Sequence, residues 1–251
     1  MKYLLITFYI IFSVEMKAQK INIPDAAFQR ELFTQGIDLN NDGYIQESEA
    51  QKVTVLYVTK QGINNLEGIS HFTNLEEFGC YGNQITKLDL SELKKLQRLY
   101  AYDNKLVELN ISGLLALKDI FLQNNPDLYL SLDFTKYPNL EELHINATRT
   151  PRLIIKNLVH LKMVNVSNSR LSDLQIDGAI NLESLWLDNN ELIEIDFKKL
   201  PKIEYIGLSN NPIKKVDIRH LKSLKNFSCL DCFDLKQINT SGCENLEPIV
   251  W

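Results

Sequence analysis

One leucine-type position recurs along this chain with almost no drift, and that recurrence limits the possible folds more than any other feature. Aligned on Val53, Leu75, Leu96, Leu117, Leu140, Leu161, Leu182, Ile203, Leu224 and Leu246, the steps are 22, 21, 21, 23, 21, 21, 21, 21 and 22 residues. Within a unit, apolar residues fall at positions 1, 4, 6, 11, 14, 16 and 19, as in Leu75, Phe78, Cys80, Ile85, Leu88, Leu90 and Leu93. Position 9 is Asn83, Asn104, Asn125, Asn190 and Asn211 in five of the units. A period this short and this regular marks a stack of coils, none of which can bury its apolar side alone.

Positions 4 and 6 alternate with 3, 5 and 7, the period of a strand buried on one face. The Asn at position 9 turns the chain out of the strand, and its amide can bond backbone groups that the turn leaves unpaired. Nine such coils, at about 4.8 Å per strand, predict a solenoid about 43 Å long. Units of 21–23 residues leave little room for helices, so turns, 3₁₀ segments and extended chain are expected on the outer face. Thr148, Ser169 and Cys232 interrupt the Asn series, and the unit from Leu117 carries two additional residues around 126–130. That addition predicts a bulge at one edge of the sheet.

These residues carry a resemblance. The chain resembles bacterial leucine-rich repeat proteins of the short-repeat, internalin-like kind, and Leu88-Asp89-Leu90-Ser91, Ile195-Asp196-Phe197 and Val216-Asp217-Ile218 are similar to repeats of secreted Bacteroidetes proteins. The resemblance covers residues 53–251 and the segment before them. It implies an α/β solenoid, a right-handed superhelix with a concave parallel β-sheet, and binding rather than catalysis. It implies no particular ligand.

Residues 1–18 read as a secretory signal peptide: Lys2, an apolar run from Tyr3 to Val14, and a small residue, Ala18, at the expected cut. The run is too short to span a bilayer. Secretion or display at the cell surface or in the periplasm is the expected address.

Residues 19–52 do not follow the repeat and form a separate N-terminal cap. Pro24 and Asp25 suit the start of a helix striped by Phe28, Leu32 and Phe33. Residues 38–49 then match a twelve-residue EF-hand loop: Asp38, Asn40 and Asp42 at alternate positions, Gly43 at the sharp turn, Tyr44 offering its carbonyl, and Glu49 closing. Oxygen donors in that order suit Ca²⁺. The alternative is a metal-free turn that keeps the motif.

The concave face follows from the numbering. Position 5 reads Tyr57, Gly79, Tyr100, Phe121, His144, Asn165, Trp186, Gly207 and Ser228, and position 7 includes Tyr81 and Tyr102. Position 3 frames the rings with Glu77, Arg98, Asp119 and Glu142. Exposed rings with a charged border resemble an interface core and rim. Aromatic pairs also reinforce a sheet by about 0.2–1 kcal/mol each. Tyr81, Tyr100, Tyr102, Phe121, His144 and Trp186, with Arg98 and Asp119, are therefore the candidate ligand-binding residues, and Trp186 is a second anchor near Met163 and Tyr205. A protein ligand, a glycan and a purely structural spacer are all compatible with that face.

Lys and Arg number 27 against 32 Asp and Glu, giving a net charge of −5, the wrong balance for binding nucleic acid. The sequence contains no Gly-rich phosphate loop, no His-Glu-x-x-His and no Gly-x-Ser-x-Gly, so no enzymatic site is expected. Of the four cysteines, Cys80 and Cys229 fall at core position 6, Cys232 at the Asn position and Cys243 at position 19. They read as buried thiols, with a disulfide from Cys232 to Cys229 or to Cys243 as the alternative. Residues 246–251 begin a tenth strand, leaving a sheet edge through which copies can associate.

Overall fold

A computed structural model describes residues 19–131, 133–197, 200–236 and 238–249. The expected signal peptide, 1–18, lies outside the described residues. Position 4 of each coil is the middle residue of a three-residue strand. The nine strands are β1 (Val55–Tyr57), β2 (Glu77–Gly79), β3 (Arg98–Tyr100), β4 (Asp119–Phe121), β5 (Glu142–His144), β6 (Met163–Asn165), β7 (Ser184–Trp186), β8 (Tyr205–Gly207) and β9 (Asn226–Ser228). They form one parallel sheet in chain order, so the chain is a parallel-strand solenoid of about nine turns with few helices.

The sequence pattern explains both faces. Phe78, Leu99, Ile120, Leu143, Val164, Leu185, Ile206 and Phe227 at position 4 point into the coil and are buried, as are position-6 residues from Cys80 to Cys229. Short parallel pairs close the opposite wall: Lys87–Asp89 with Glu108–Asn110, Arg152–Lys156 with Asp173–Asp177, and Val216–Asp217 with Ile238–Asn239. Among the described residues α-helix is confined to the cap, with α1 (Ala26–Thr34) and α2 (Glu47–Ala50), and the return legs carry 3₁₀ turns at Ile69–His71 and Phe134–Lys136. Phe28, Leu32, Ile37, Ile45 and Ala50 join the same continuous core as the coils. Asp25 fastens the two parts. Its Oδ1 accepts from Ala27 and Phe28 N–H at the start of α1, and its Oδ2 accepts from Asn64 and Asn65 N–H of the first coil.

The Asn side chains form a buried ladder. Asn125 accepts from Leu106 N–H (3.0 Å) and donates to Leu122 O in its own coil (2.7 Å) and Ala101 O in the previous one (3.1 Å). Asn83, Asn104, Asn190 and Asn211 make the corresponding bonds. Where hydroxyls replace the amide, the two donations are divided: Thr148 reaches Ile145 O in its own coil, and Ser169 reaches Ile145 O from the coil after. At the third departure, Cys232 is joined to Cys229 by a disulfide, while Cys80 and Cys243 are free and buried.

One expectation is overturned. The two additional residues around 126–130 do not bulge the sheet: Asp119, Ile120 and Phe121 pair with Glu142, Leu143 and His144 without a shift. They are taken up on the return leg, where Tyr129 is exposed and pairs only through an isolated bridge to Arg149. A sheet strand is hydrogen-bonded on both sides, whereas the return leg is paired only in places, so added chain goes where fewer bonds must break.

Candidate functional site

The sheet register brings the predicted rings together. Tyr57, Gly79, Tyr100, Phe121, His144, Asn165, Trp186, Gly207 and Ser228 lie side by side along the outward row. Four of them make a continuous ribbon: Tyr57 to Tyr100 at 6.1 Å between centroids, Tyr100 to Phe121 at 5.1 Å, and Phe121 to His144 at 4.3 Å with planes 9° apart. Tyr81 and Tyr102 stack beside them at 4.4 Å. All are half-buried, and their neighbours in the stack supply much of that cover.

Tyr57 and Gly79 were not among the expected site residues, and they extend the ribbon by two strands and one ring. A Cβ on Gly79 would meet the Tyr57 ring at 2.3 Å, so the ring lies over the glycine and reaches Tyr100 across it. The available signal was the single Gly between Tyr57 and Tyr100 in the position-5 row. Gly207 repeats the device: its missing side chain makes room for the Asp188 carboxylate, which accepts from Ser209 N–H at 2.9 Å. Trp186 stands apart from the ribbon, 39% exposed, between Asn165 and Gly207.

The stacking direction governs what the ribbon can hold. Phe121 with His144 and Tyr81 with Tyr102 cover each other's faces, and Tyr100 tilts by 33° against Phe121, so the ribbon offers a ligand mainly ring edges. Ring edges bury apolar side chains well, whereas a sugar needs an open ring face. Trp186 is the more exposed ring.

The position-3 row is charged and uneven. Arg98 Nε lies 2.5 Å from Glu77 Oε2, and Tyr57 donates its hydroxyl to the other Glu77 oxygen. The Tyr57 hydroxyl, followed by Arg98, holds the Glu77 carboxyl below its usual range despite burial. Asp119 moves the other way: burial, then the carboxylates of Glu142 and Glu141, push its pKa up. Glu142 Oε2 lies 3.3 Å from His144 Nε2.

In the cap, Asp38, Asn40, Asp42, Tyr44 and Glu49 come onto one closed loop. Asp42 N–H donates to both Asp38 Oδ1 (3.2 Å) and Asn40 Oδ1 (3.0 Å), and Gly43 N–H donates to Asp38 Oδ2 (2.9 Å). Glu49, almost fully buried, folds back from α2 to accept from Leu39 N–H (2.8 Å) and Gln46 N–H (3.0 Å). Gln46 Nε2 contacts Asp42 Oδ2 at 2.5 Å. Among the described residues, no three His, Cys, Asp or Glu side chains are gathered closely enough to hold a metal ion. The loop gathers the oxygen donors of the sequence motif, and in this structure N–H groups occupy its carboxylates. Lys20 Nζ lies over the Tyr44 ring, 3.2 Å from its centroid.

No protein-family model and no curated protein matches this chain. Solved structures match its fold. The functional domain of InlJ from Listeria monocytogenes, which includes a cysteine ladder, superposes with a TM-score of 0.53 at 22% identity over 92% of this chain. The chain spans 63% of that domain's length. Internalin C2 from Listeria monocytogenes gives 0.63 at 23% identity, covering 79% of this chain and 91% of that one. The leucine-rich repeat domain of APL1B gives 0.62 at 17% identity, covering 70% and 56%. The architecture is thus that of leucine-rich repeat solenoids. Among the described residues, no helix is long and apolar enough to cross a membrane.

Proposed function

We propose that this protein is a non-enzymatic binding module, secreted or held at the cell surface, that takes a protein ligand on the concave face through Tyr81, Tyr100, Tyr102, Phe121 and His144. The observation that carries the reading is the four-ring ribbon on the outward row of the sheet, where solvation alone would favour polar residues. Affinity capture with the immobilised protein, wild type against the Tyr100→Ala/Phe121→Ala double variant, tests it. Loss of the captured partner with an unchanged circular dichroism spectrum supports the reading, and equal capture by both proteins removes it.

The exposed Trp186 favours a second reading, glycan binding at that ring. Glycan-array binding that disappears in Trp186→Ala supports it. We also propose that Asp38, Asn40, Asp42, Glu49 and the Tyr44 carbonyl take Ca²⁺, which when bound would tie the loop to α2 and so fix the cap on the first coil. An unchanged melting temperature between millimolar Ca²⁺ and chelator refutes that site. The C-terminal edge begun by residues 246–249, where Glu247 N–H bonds Lys225 O beside β9, is the expected route for self-association, read by sedimentation at rising concentration.

A further inference from the structure

We propose that the occupant of the concave face is an extended basic protein segment, with an arginine side chain seated between Asp119 and Glu142 and an adjoining apolar side chain against the edges of the Tyr100 and Phe121 rings. The proposal rests on the reading of this face as a protein-binding surface and specifies the chemistry of the partner.

Charge on the face makes the argument. The outward rows at positions 3 and 7 carry Glu77, Asp119, Glu142 and Asp188 against one guanidinium, Arg98. Arg98 is hydrogen-bonded to Glu77, which also holds the Tyr57 hydroxyl, and it acts on its sheet neighbour Asp119 only through space, too weakly to offset burial and the neighbouring carboxylates. Among the described residues no ion pair reaches Asp119, and Glu142 has the His144 imidazole at 3.3 Å. Asp119 and Glu142 are directly paired residues of neighbouring strands, held about 4.8 Å apart by the sheet. Their mutual repulsion and the partial burial of Asp119 are both relieved by one cation placed between them. A guanidinium, a planar fork with five donors, can serve two adjacent carboxylates at once.

The rings supply the second half of the match. Tyr100 and Phe121 sit two residues along the strand from Arg98 and Asp119, about 7 Å away on the same face. That is the reach of an arginine stem, or of the next outward side chain of a segment laid along the strands. The ring edges exclude water from one side of the carboxylate pair, which strengthens any charge-assisted contact made there.

The probe is a short capped peptide with one arginine flanked by leucine, titrated into the full protein while the Tyr100 and Phe121 ring resonances are followed by NMR. Its twin carries citrulline, the uncharged isostere, in place of arginine. Binding by the arginine peptide, with affinity reduced about tenfold or more by citrulline and by Asp119→Asn/Glu142→Gln, supports the proposal. The variant removes the Asp119–Glu142 repulsion and keeps a polar side chain opposite His144, so it is expected to fold, and Glu92→Gln/Glu244→Gln, two exposed residues off the sheet, controls for the change of two in net charge. Equal binding of both peptides, or no change in the double variant, overturns the proposal. So does capture of a protein partner that needs Tyr100 and Phe121 yet is indifferent to Asp119→Asn/Glu142→Gln, an outcome that leaves the protein-binding reading standing. Capture indifferent to Tyr100→Ala/Phe121→Ala removes the underlying reading itself.

Discussion

Replacing Asn125 with Ala tests the ladder at a rung for which the next coil supplies no replacement donor. Three buried backbone groups depend on this side chain, and they do not lose equally. Leu106 N–H loses the acceptor at 3.0 Å and is left unpaired in the core. Leu122 O loses its donor at 2.7 Å, and the next coil offers no substitute, because Thr148 bonds Ile145 O. Ala101 O loses one donor at 3.1 Å but keeps Asn104 at 3.2 Å. Two orphaned groups at about 1–3 kcal/mol each, plus a smaller loss at the third, give about 3–5 kcal/mol. Asn104→Ala is the internal control. There Cys80 O retains Asn83 and Ala101 O retains Asn125, so Ile85 N–H alone is orphaned, for about 2 kcal/mol. Urea unfolding followed by circular dichroism measures both, and hydrogen exchange at Leu106 locates the effect. If Asn104→Ala costs as much as Asn125→Ala, or Leu106 exchanges no faster in the latter, the ladder does not carry load as described.

Three further outcomes follow from particular contacts. Ala147 holds a left-handed backbone (φ 55°) where other coils place Asn124, Asn168, Asn189 and Asn210, so Ala147→Asn should stabilise by about 0.5–1 kcal/mol and raise Tm by about 2 °C. A lower Tm would refute the strain. Asn83→Cys places a thiol three residues after Cys80, the spacing that Cys229 and Cys232 bridge, so a disulfide should form and mass spectrometry should find it. Burial pushes the Cys80 thiol pKa up, so the bond has to form during folding, and two free thiols after oxidative refolding would count against the equivalence. Burial alone would raise the Asp25 pKa, but the N–H bonds from Phe28, Asn64, Asn65 and Ala27 outweigh it and hold the carboxyl low. The stability it contributes is present above the unfolded value of about 3.9 and lost as pH falls through the folded value. Asp25→Ala should therefore cost about 1–2 kcal/mol at neutral pH and progressively less toward strong acid, as thermal melts against pH would record.

The solenoid and its outward rows were legible because two periods fix them. A 21-residue repeat sets which residues are lateral neighbours, and the strand period sets which face they occupy; Tyr100, Phe121 and His144 follow from counting. Features that depend on a residue's absence or on local backbone strain were not legible in the same way. Gly79 passed as a gap in the aromatic row, although the gap is what lets Tyr57 lie across to Tyr100. The recurrent left-handed residue just before each Asn was hidden because Lys60 and Ala147 share the position with Asn, Asp and Gly. Spacing left Cys232 two partners, and only coordinates distinguish Cys229 from Cys243.

That bridge also clarifies what position 9 is for. In every Asn coil the amide donates to the carbonyl three residues before it, joining position 9 to position 6: Asn83 to Cys80, Asn104 to Ala101, Asn125 to Leu122, Asn190 to Leu187, Asn211 to Leu208. Cys232 and Cys229 occupy the same two positions and make the same closure covalently. Thr148 makes it with a hydroxyl. The common requirement is a fixed turn out of the strand, and three chemistries meet it. Because Asn125 and Thr148 each close the turn within their own coils, the two additional residues after Asn125 can be taken up on the return leg without disturbing the pairing of Phe121 with His144. The outward face of the sheet therefore stays continuous across the coil whose sequence departs furthest in length, and the Asp119–Glu142 pair and the ring ribbon cross that junction as one surface.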